Sequence, residues 1–273
     1  MWSASWRWWS NRPRAALSFA TPHPGVLPGV WRVDVSWDRQ TYQSDANIAP
    51  IREERLHGGL SIADWATANL RYELTAGIDS WNGTRRAASL GGSIERRAFG
   101  DRLSTAAAAA TWIPLATQTR FHAGALRTTF RSSTKASGMV WLADGGLETV
   151  SMAAPMSLWV GAGDGQSRAP LLRAHPLLSD GIVTGSIFGR RLAYGNTELQ
   201  RWITSSPVRV AVATFVDVAR ISRRASSAIA DPFQIDAGAG IRLKVPGQKG
   251  TVRVDVGRGL RDRSHAVTVG WQY

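Results

Sequence analysis

From His265 to Tyr273 the chain reads H-A-V-T-V-G-W-Q-Y. His265, Val267, Val269, Trp271 and Tyr273 fall on one face of an extended strand, and Ala266, Thr268, Gly270 and Gln272 on the other. A strand of period two with an apolar, aromatic face and a terminal aromatic residue is the way an outer-membrane β-barrel ends. In a bilayer only a closed barrel satisfies every backbone group of a sheet.

The same alternation runs through the chain. Trp31, Val33, Val35 and Trp37 alternate with Arg32, Asp34 and Ser36. Leu70, Tyr72, Leu74, Ala76 and Ile78 alternate with Arg71, Glu73 and Thr75. Val208, Val210, Val212, Val216 and Val218 oppose Arg209 and Asp217. The apolar odd positions of 235–245 oppose Asp236, Arg242 and Lys244, and Val252, Val254 and Val256 alternate with Arg253 and Asp255. A soluble sandwich also alternates, but it does not put so many Arg inside. Residues 1–273 are therefore expected to form one all-β domain, an antiparallel transmembrane β-barrel of about 14 strands, roughly 12 to 16. The expected location is the bacterial outer membrane.

Composition fits this expectation. No run of about 18 apolar residues is available for a transmembrane helix. Cysteine is absent, which suits an oxidising compartment. Several of the 13 Trp lie near strand ends, where an interfacial belt is expected. The net charge is +13, with Lys135, Lys244 and Lys249 the only lysines. The Arg residues are spread over alternating strands rather than gathered in a stripe, so a polar barrel interior or acidic headgroups explain them better than nucleic acid. Nucleic acid is not expected as a partner.

The turns point to hairpins. Asn82-Gly83 suits a type I′ turn. Gly100-Asp101, Pro246-Gly247 and Gly257–Arg263 punctuate in the same way. Ala106–Ala110 is strong helix-forming sequence, yet flanking Thr and the lack of charged helix partners favour a strand. Residues 161–189 break the rhythm: they are rich in Gly, Pro, Ser and Asp, and a loop this long is expected to be functional. Gly161, Gly163 and Gly165 are not a phosphate loop, because no helix follows and Pro170 interrupts. Met1–Asn11 already looks like a Trp-bearing strand and carries no signal-peptide pattern, so a fragment of a longer protein is expected.

Four stretches from about residue 155 onward carry a family resemblance. They are L-L-R-A-H-P at Leu171–Pro176, Y-G-N-T-E-L at Tyr194–Leu199, A-T-F-V-D-V at Ala213–Val218, and G-A-G-I-R-L-K-V-P at Gly238–Pro246 followed by V-R-V-D-V-G at Val252–Gly257. In order and spacing they resemble the C-terminal barrel of the bacterial surface antigen family, of BamA and TamA type. Ala174 and His175 depart from the family's Gly and aromatic residue, and Ala219 from its Gly. No POTRA-like segment is expected within residues 1–273.

The resemblance implies that 161–189 folds into the lumen, ahead of the last five strands. It implies that Arg173, flanked by Leu172, Ala174 and His175, meets Glu198 and Asp217 on the wall. A guanidinium has donors for two carboxylates. The resemblance also implies that Val267, Val269, Trp271 and Tyr273 form a C-terminal insertion signal. The implied function is insertion of β-barrel proteins or polypeptide export. The implied partners are outer-membrane lipids, unfolded outer-membrane or secreted polypeptides, and assembly-machinery subunits.

Two alternatives stand beside it: a passive anion-preferring pore, and a barrel that anchors or exports a missing N-terminal domain. An enzyme is not expected. The five His are scattered without metal-ligand spacing, no G-x-S-x-G occurs, and neither metal nor cofactor is called for.

Overall fold

The computed structural model describes residues 1–8, 12–25, 27–43, 48–163, 171–184, 187–203, 207–222, 233–248 and 250–272. Tyr273 lies outside these, as do Gly165, Pro170 and Lys249. Among the described residues, fourteen strands follow one another around a single antiparallel sheet. They are β1 (Trp2–Arg7), β2 (Arg14–His23), β3 (Gly29–Tyr42), β4 (Ile51–Thr67), β5 (Leu70–Trp81), β6 (Arg85–Ala98) and β7 (Leu103–Pro114). There follow β8 (Phe121–Arg131), β9 (Gly138–Val150), β10 (Arg191–Trp202), β11 (Arg209–Ser222), β12 (Gln234–Lys244), β13 (Thr251–Gly259) and β14 (His265–Gln272). Each pairs with its sequence neighbours, and β1 and β14 remain the two edges: the sheet does not close.

Local chemistry explains the hairpins. Asn82 and Gly83 have φ of 50° and 69°, the double left-handed geometry of a type I′ turn. Gly247 has φ 74° and Gln248 N–H donates to the Val245 carbonyl at 3.3 Å, a type II turn with Pro246 leading. Ala106–Ala110 is strand, paired with Gly91–Glu95 of β6 and Ala123–Arg127 of β8. Ladder pairing on both sides overrides its helix propensity. Gly257, expected to open a turn, instead lies within β13.

Side chains separate by face as period two requires. Leu74, Ile78, Leu90, Ile94, Leu147, Val212, Val256, Val267 and Val269 are exposed on the outer face. A water-soluble monomer does not tolerate such a continuous apolar belt. The inner face is less polar than expected. Tyr42, Trp81, Trp112, Phe121, Leu192, Tyr194, Ala219 and Ile221 point inward and form one apolar core with the segment that joins β9 to β10. Trp81 and Trp112, near strand ends, are therefore packed inside and not in the expected interfacial belt, and Trp159 of the inner segment packs with them.

That inner segment begins at Ser151, ten residues earlier than the sequence pattern indicates. It carries a short 3₁₀ turn, Met156–Leu158, and the two-residue ladder Val160–Gly161 with Phe188–Gly189. It touches both sides of the sheet. Glu53 of β4 accepts from Met156 N–H at 3.2 Å and Ser157 N–H at 2.8 Å. Trp81 Nε1 donates to Ser157 Oγ at 2.9 Å, and Arg85 to the Ala153 carbonyl at 2.6 Å. Ile182 and Val183 pair in parallel with Thr41 and Tyr42 of β3, where β2 no longer covers that edge. Because one segment also reaches β10–β13, the sheet must curl around it. Gly163 shows why small residues recur here: a Cβ would lie 2.5 Å from the His175 carbonyl and the Leu177 amide.

Phe188 is fully buried and stacks on Tyr42 at 5.6 Å and on Trp159 at 5.4 Å. Phe188→Ala is expected to cost about 3–5 kcal/mol locally. Limited trypsin digestion should then cut faster after Arg173 while the strand signal in circular dichroism stays unchanged. Unaltered cleavage would mean that this core does not hold the inner segment.

Candidate functional site

The inner segment returns to the wall at Arg173. Its Nε and Nη2 reach Asp217 Oδ2 and Oδ1 at 2.9 and 3.0 Å, a two-pronged contact. Nη1 donates to Glu198 Oε2 at 2.6 Å and to Asp255 Oδ2 at 3.4 Å. The guanidinium carbon sits 3.6 Å from the centre of the Phe215 ring. The ring supplies a cation–π floor where water would otherwise be. Alternation of β10 and β11 puts Glu198, Phe215 and Asp217 on the inner face together, with Asn196 beside them. Asn196 Nδ2 donates to Asp217 Oδ1 at 3.0 Å and to the Leu171 carbonyl at 2.6 Å, holding wall and segment at once.

The cluster is larger and drier than the sequence indicated. Arg242 of β12 is fully buried and grips Glu198 with Nε and Nη2 at 2.8 and 2.7 Å, and Asp255 with Nη1 at 2.6 Å. Gln200 donates to Glu198 Oε1 at 2.7 Å. Asp217, Asp236 and Asp255 have no exposed surface, and Arg173 is 4% exposed. Charges this dry persist only when paired and hydrogen-bonded, and breaking one pair costs several kcal/mol.

The neighbouring residues are anchored too. Leu172 and Ala174 are buried, and Ala174 N–H donates to Asp236 Oδ2 at 2.6 Å. His175 lies between two carboxylates, with Nδ1 2.8 Å from Asp236 Oδ1 and Nε2 2.8 Å from Asp262 Oδ2. Ser264 Oγ is 3.1 Å from Nε2. Burial opposes the charged imidazolium, but Asp236 and Asp262 outweigh it and raise the His175 pKa. Asp262 stands in the β13–β14 turn. Burial opposes its charge, but the Ser264 backbone N–H and His175 hold its carboxyl at about 2.

Sequence reasoning brought Arg173, Glu198 and Asp217 together, and the structure places all three in contact. It missed the roles of Arg242, Asp236, Asp255 and Phe215, whose signal was their position on the inner face of strands already identified. It also missed Gly257. A Cβ there would lie 3.0 Å from the Arg173 carbonyl carbon and 3.1 Å from the Ala174 amide nitrogen, so the segment's backbone rests directly on β13. Val267, Val269 and Trp271 lie on the exposed outer face of the edge strand β14, far from this cluster in role.

A second buried group lies on the opposite wall. Asp79 receives Arg55 at 2.7 Å, His57 Nδ1 at 2.9 Å and Trp112 Nε1 at 2.8 Å. It anchors the aromatic platform on which the inner segment rests. Among the described residues, no group of three or more His, Cys, Asp or Glu is placed to hold a metal ion.

An up-and-down antiparallel sheet with an apolar outer belt, curled around an inward-folded segment pinned by arginine, defines an all-β, barrel-type sheet that carries a segment on its inner face. No protein-family model and no curated protein matches the chain. Among solved structures it is similar to BamA from Haemophilus ducreyi lacking POTRA domains 1–3, with a TM-score of 0.68 and 12% identity over 96% of this chain and 62% of that one. It is similar also to CdiB from Acinetobacter baumannii, with a TM-score of 0.57 and 11% identity over 94% of this chain and 49% of that one. The chain thus spans less than two thirds of the length of either, and what it shares with them is the fold: a BamA-type barrel sheet.

Two outcomes follow from the site. Gly257→Val should push Arg173 and Ala174 off β13 and expose the inner segment to protease, whereas Gly58→Ala, in mid-strand with open space around it, should not. For pH, the raised His175 pKa means that its clamp is complete below about 6.5, the ordinary histidine value, and is lost as pH rises through the folded value. The depressed Asp262 pKa means that its share is complete above about 3.9 and is lost as pH falls towards its folded value. Protection of the Ala174 and His175 amides against hydrogen exchange, corrected for intrinsic rates, should therefore peak between about pH 4 and 6.5. His175→Gln should flatten the alkaline side of that profile.

Proposed function

We propose that the chain is the barrel of an outer-membrane assembly or translocation protein, which helps β-barrel proteins insert or passes a polypeptide across the membrane. The observation that carries this reading is the buried tie between Arg173 of the inner segment and Glu198, Asp217 and Asp255 of β10, β11 and β13, in a sheet whose terminal strands do not pair with each other. The fold shared with BamA and CdiB supports it. In this reading the outer belt faces lipid, the inner segment obstructs free passage, and no covalent chemistry is involved.

β1 and β14 are the two edges of the sheet, and a client strand adds to such an edge by β-augmentation. Val267, Val269, Trp271 and Tyr273 serve as the chain's own insertion signal, read by assembly-machinery subunits. A passive anion-preferring pore is less well supported, because the core around Phe188 and Leu172 fills the space that an open pore would need.

The test is client folding. Proteoliposomes carrying the full chain are expected to speed insertion of a small urea-unfolded outer-membrane barrel several-fold over empty vesicles, read by heat-modifiable gel migration. Arg173→Ala leaves Arg242 against Glu198 and Asp255 but strands Asp217, so it should integrate normally yet lose most of the acceleration. Arg173→Lys should recover it only in part, since an ammonium cannot make the two-pronged contact. No acceleration, together with a large steady anion conductance in planar bilayers, would favour the pore instead.

A further inference from the structure

The arginine excess is only partly used by the inner cluster, and the strand register shows where another part goes. Among the described strand residues, only Glu54 and Asp64 direct a carboxylate to the outer face, and Glu54 is paired with Arg39 at 3.1 Å. Arg86, Arg191, Arg220 and Arg258 also lie on the outer face, each within three residues of a strand end. All four ends belong to one rim, the one that carries the inner segment and the longer connections. Arg258 stands directly opposite His265 in the β13–β14 ladder. None of the four makes an ion pair among the described residues; Arg220 lies 5.5 Å from the centre of the Phe233 ring.

The opposite rim, with its short turns, is built differently. There Trp31, Tyr72, Phe130, Trp141 and Trp271 are on the outer face, with Arg96 and Arg201 among them. Along β9 the outer face runs from Trp141 to Thr149, the partner of Arg191. Eight residues at about 3.3 Å rise and roughly 40° tilt give about 20 Å, close to the height of an apolar band. The guanidinium groups thus stand just above one boundary of the band, and the aromatic rings at the other. In barrels of this kind the longer connections face outside the cell.

We propose that this rim binds the phosphate groups of an anionic lipid in the outer leaflet, with the arginines as bidentate phosphate ligands. A guanidinium at the band edge keeps its stem in the apolar layer and presents a planar fork to phosphate oxygens. The near absence of outer-face carboxylates removes the competitors. The proposal rests on the membrane reading given above.

The experiment reconstitutes the full chain in phosphatidylcholine vesicles containing either a bisphosphorylated glycolipid of the lipid A type or its dephosphorylated form. The protein is re-extracted in mild detergent, and retained glycolipid per chain is measured by mass spectrometry. Wild type is expected to retain the phosphorylated form selectively. The triple variant R86Q/R191Q/R258Q should lose about tenfold or more of that retention, the scale expected for three surface cations. The opposite-rim variant R96Q/R201Q should keep it. R86K/R191K/R258K, which preserves charge and serves if the glutamine variant folds poorly, should retain an intermediate amount.

Equal retention of both lipid forms, or equal loss in the two glutamine variants, would overturn the proposal. So would displacement of the lipid by an equimolar oligodeoxynucleotide, which would mark the rim as a nucleic-acid surface. Integration into pure phosphatidylcholine, read by gel migration, separates the two levels. A chain that fails there fails the membrane reading and this proposal with it. A chain that integrates but shows no phosphate selectivity fails only the proposal.

Discussion

The structure depends on one buried guanidinium. Arg173 is the point at which a long irregular segment, with little secondary structure of its own, acquires a fixed place. Three carboxylates from β10, β11 and β13 converge on it, and the Phe215 ring closes the remaining side. Those carboxylates would repel one another without it, so the wall needs the segment as much as the segment needs the wall. Arg242 shares the load by neutralising Glu198 and Asp255 from below. Two forked cations thus organise four strands, and the inner segment is held by electrostatics at this end and by apolar contacts at the other.

Much of this was legible in the residues because strand geometry is unforgiving. Alternation with period two fixes which side chains of one strand share a face, so Val267 and Val269 go together, opposite Thr268, and Glu198 goes with Asn196 and Gln200. The family resemblance implied that Arg173 meets Glu198 and Asp217, and alternation put both carboxylates on the inner face. Alternation could have extended to Arg242, Asp236 and Asp255, which lie on inner faces already identified. What alternation does not reveal is distance across the sheet, and that is what joins Arg242 to Glu198 over 44 residues of chain.

The apolar interior was illegible for a different reason. Trp81, Trp112 and Phe121 sit at strand ends, where an interfacial ring and a packed ring have the same local sequence context. Only the presence of a covering segment distinguishes them, and that segment has no periodicity to announce its path. Gly257 misled in the same way. Its glycine serves a close backbone approach in mid-strand, a use that resembles a turn signal when read along the chain alone.

The inner segment is fastened by two unlike attachments. Towards β3–β8 it is held by stacked and apolar side chains around Phe188 and Trp81, and towards β10–β13 by ion pairs. Apolar association weakens on cooling, and the desolvation penalty of buried ions falls on warming. Both attachments therefore weaken on cooling. On warming the apolar term levels off while the charged one goes on gaining, so heat shifts the balance towards the charged end. A tether built this way lets go, when heat releases it, from the aromatic end first.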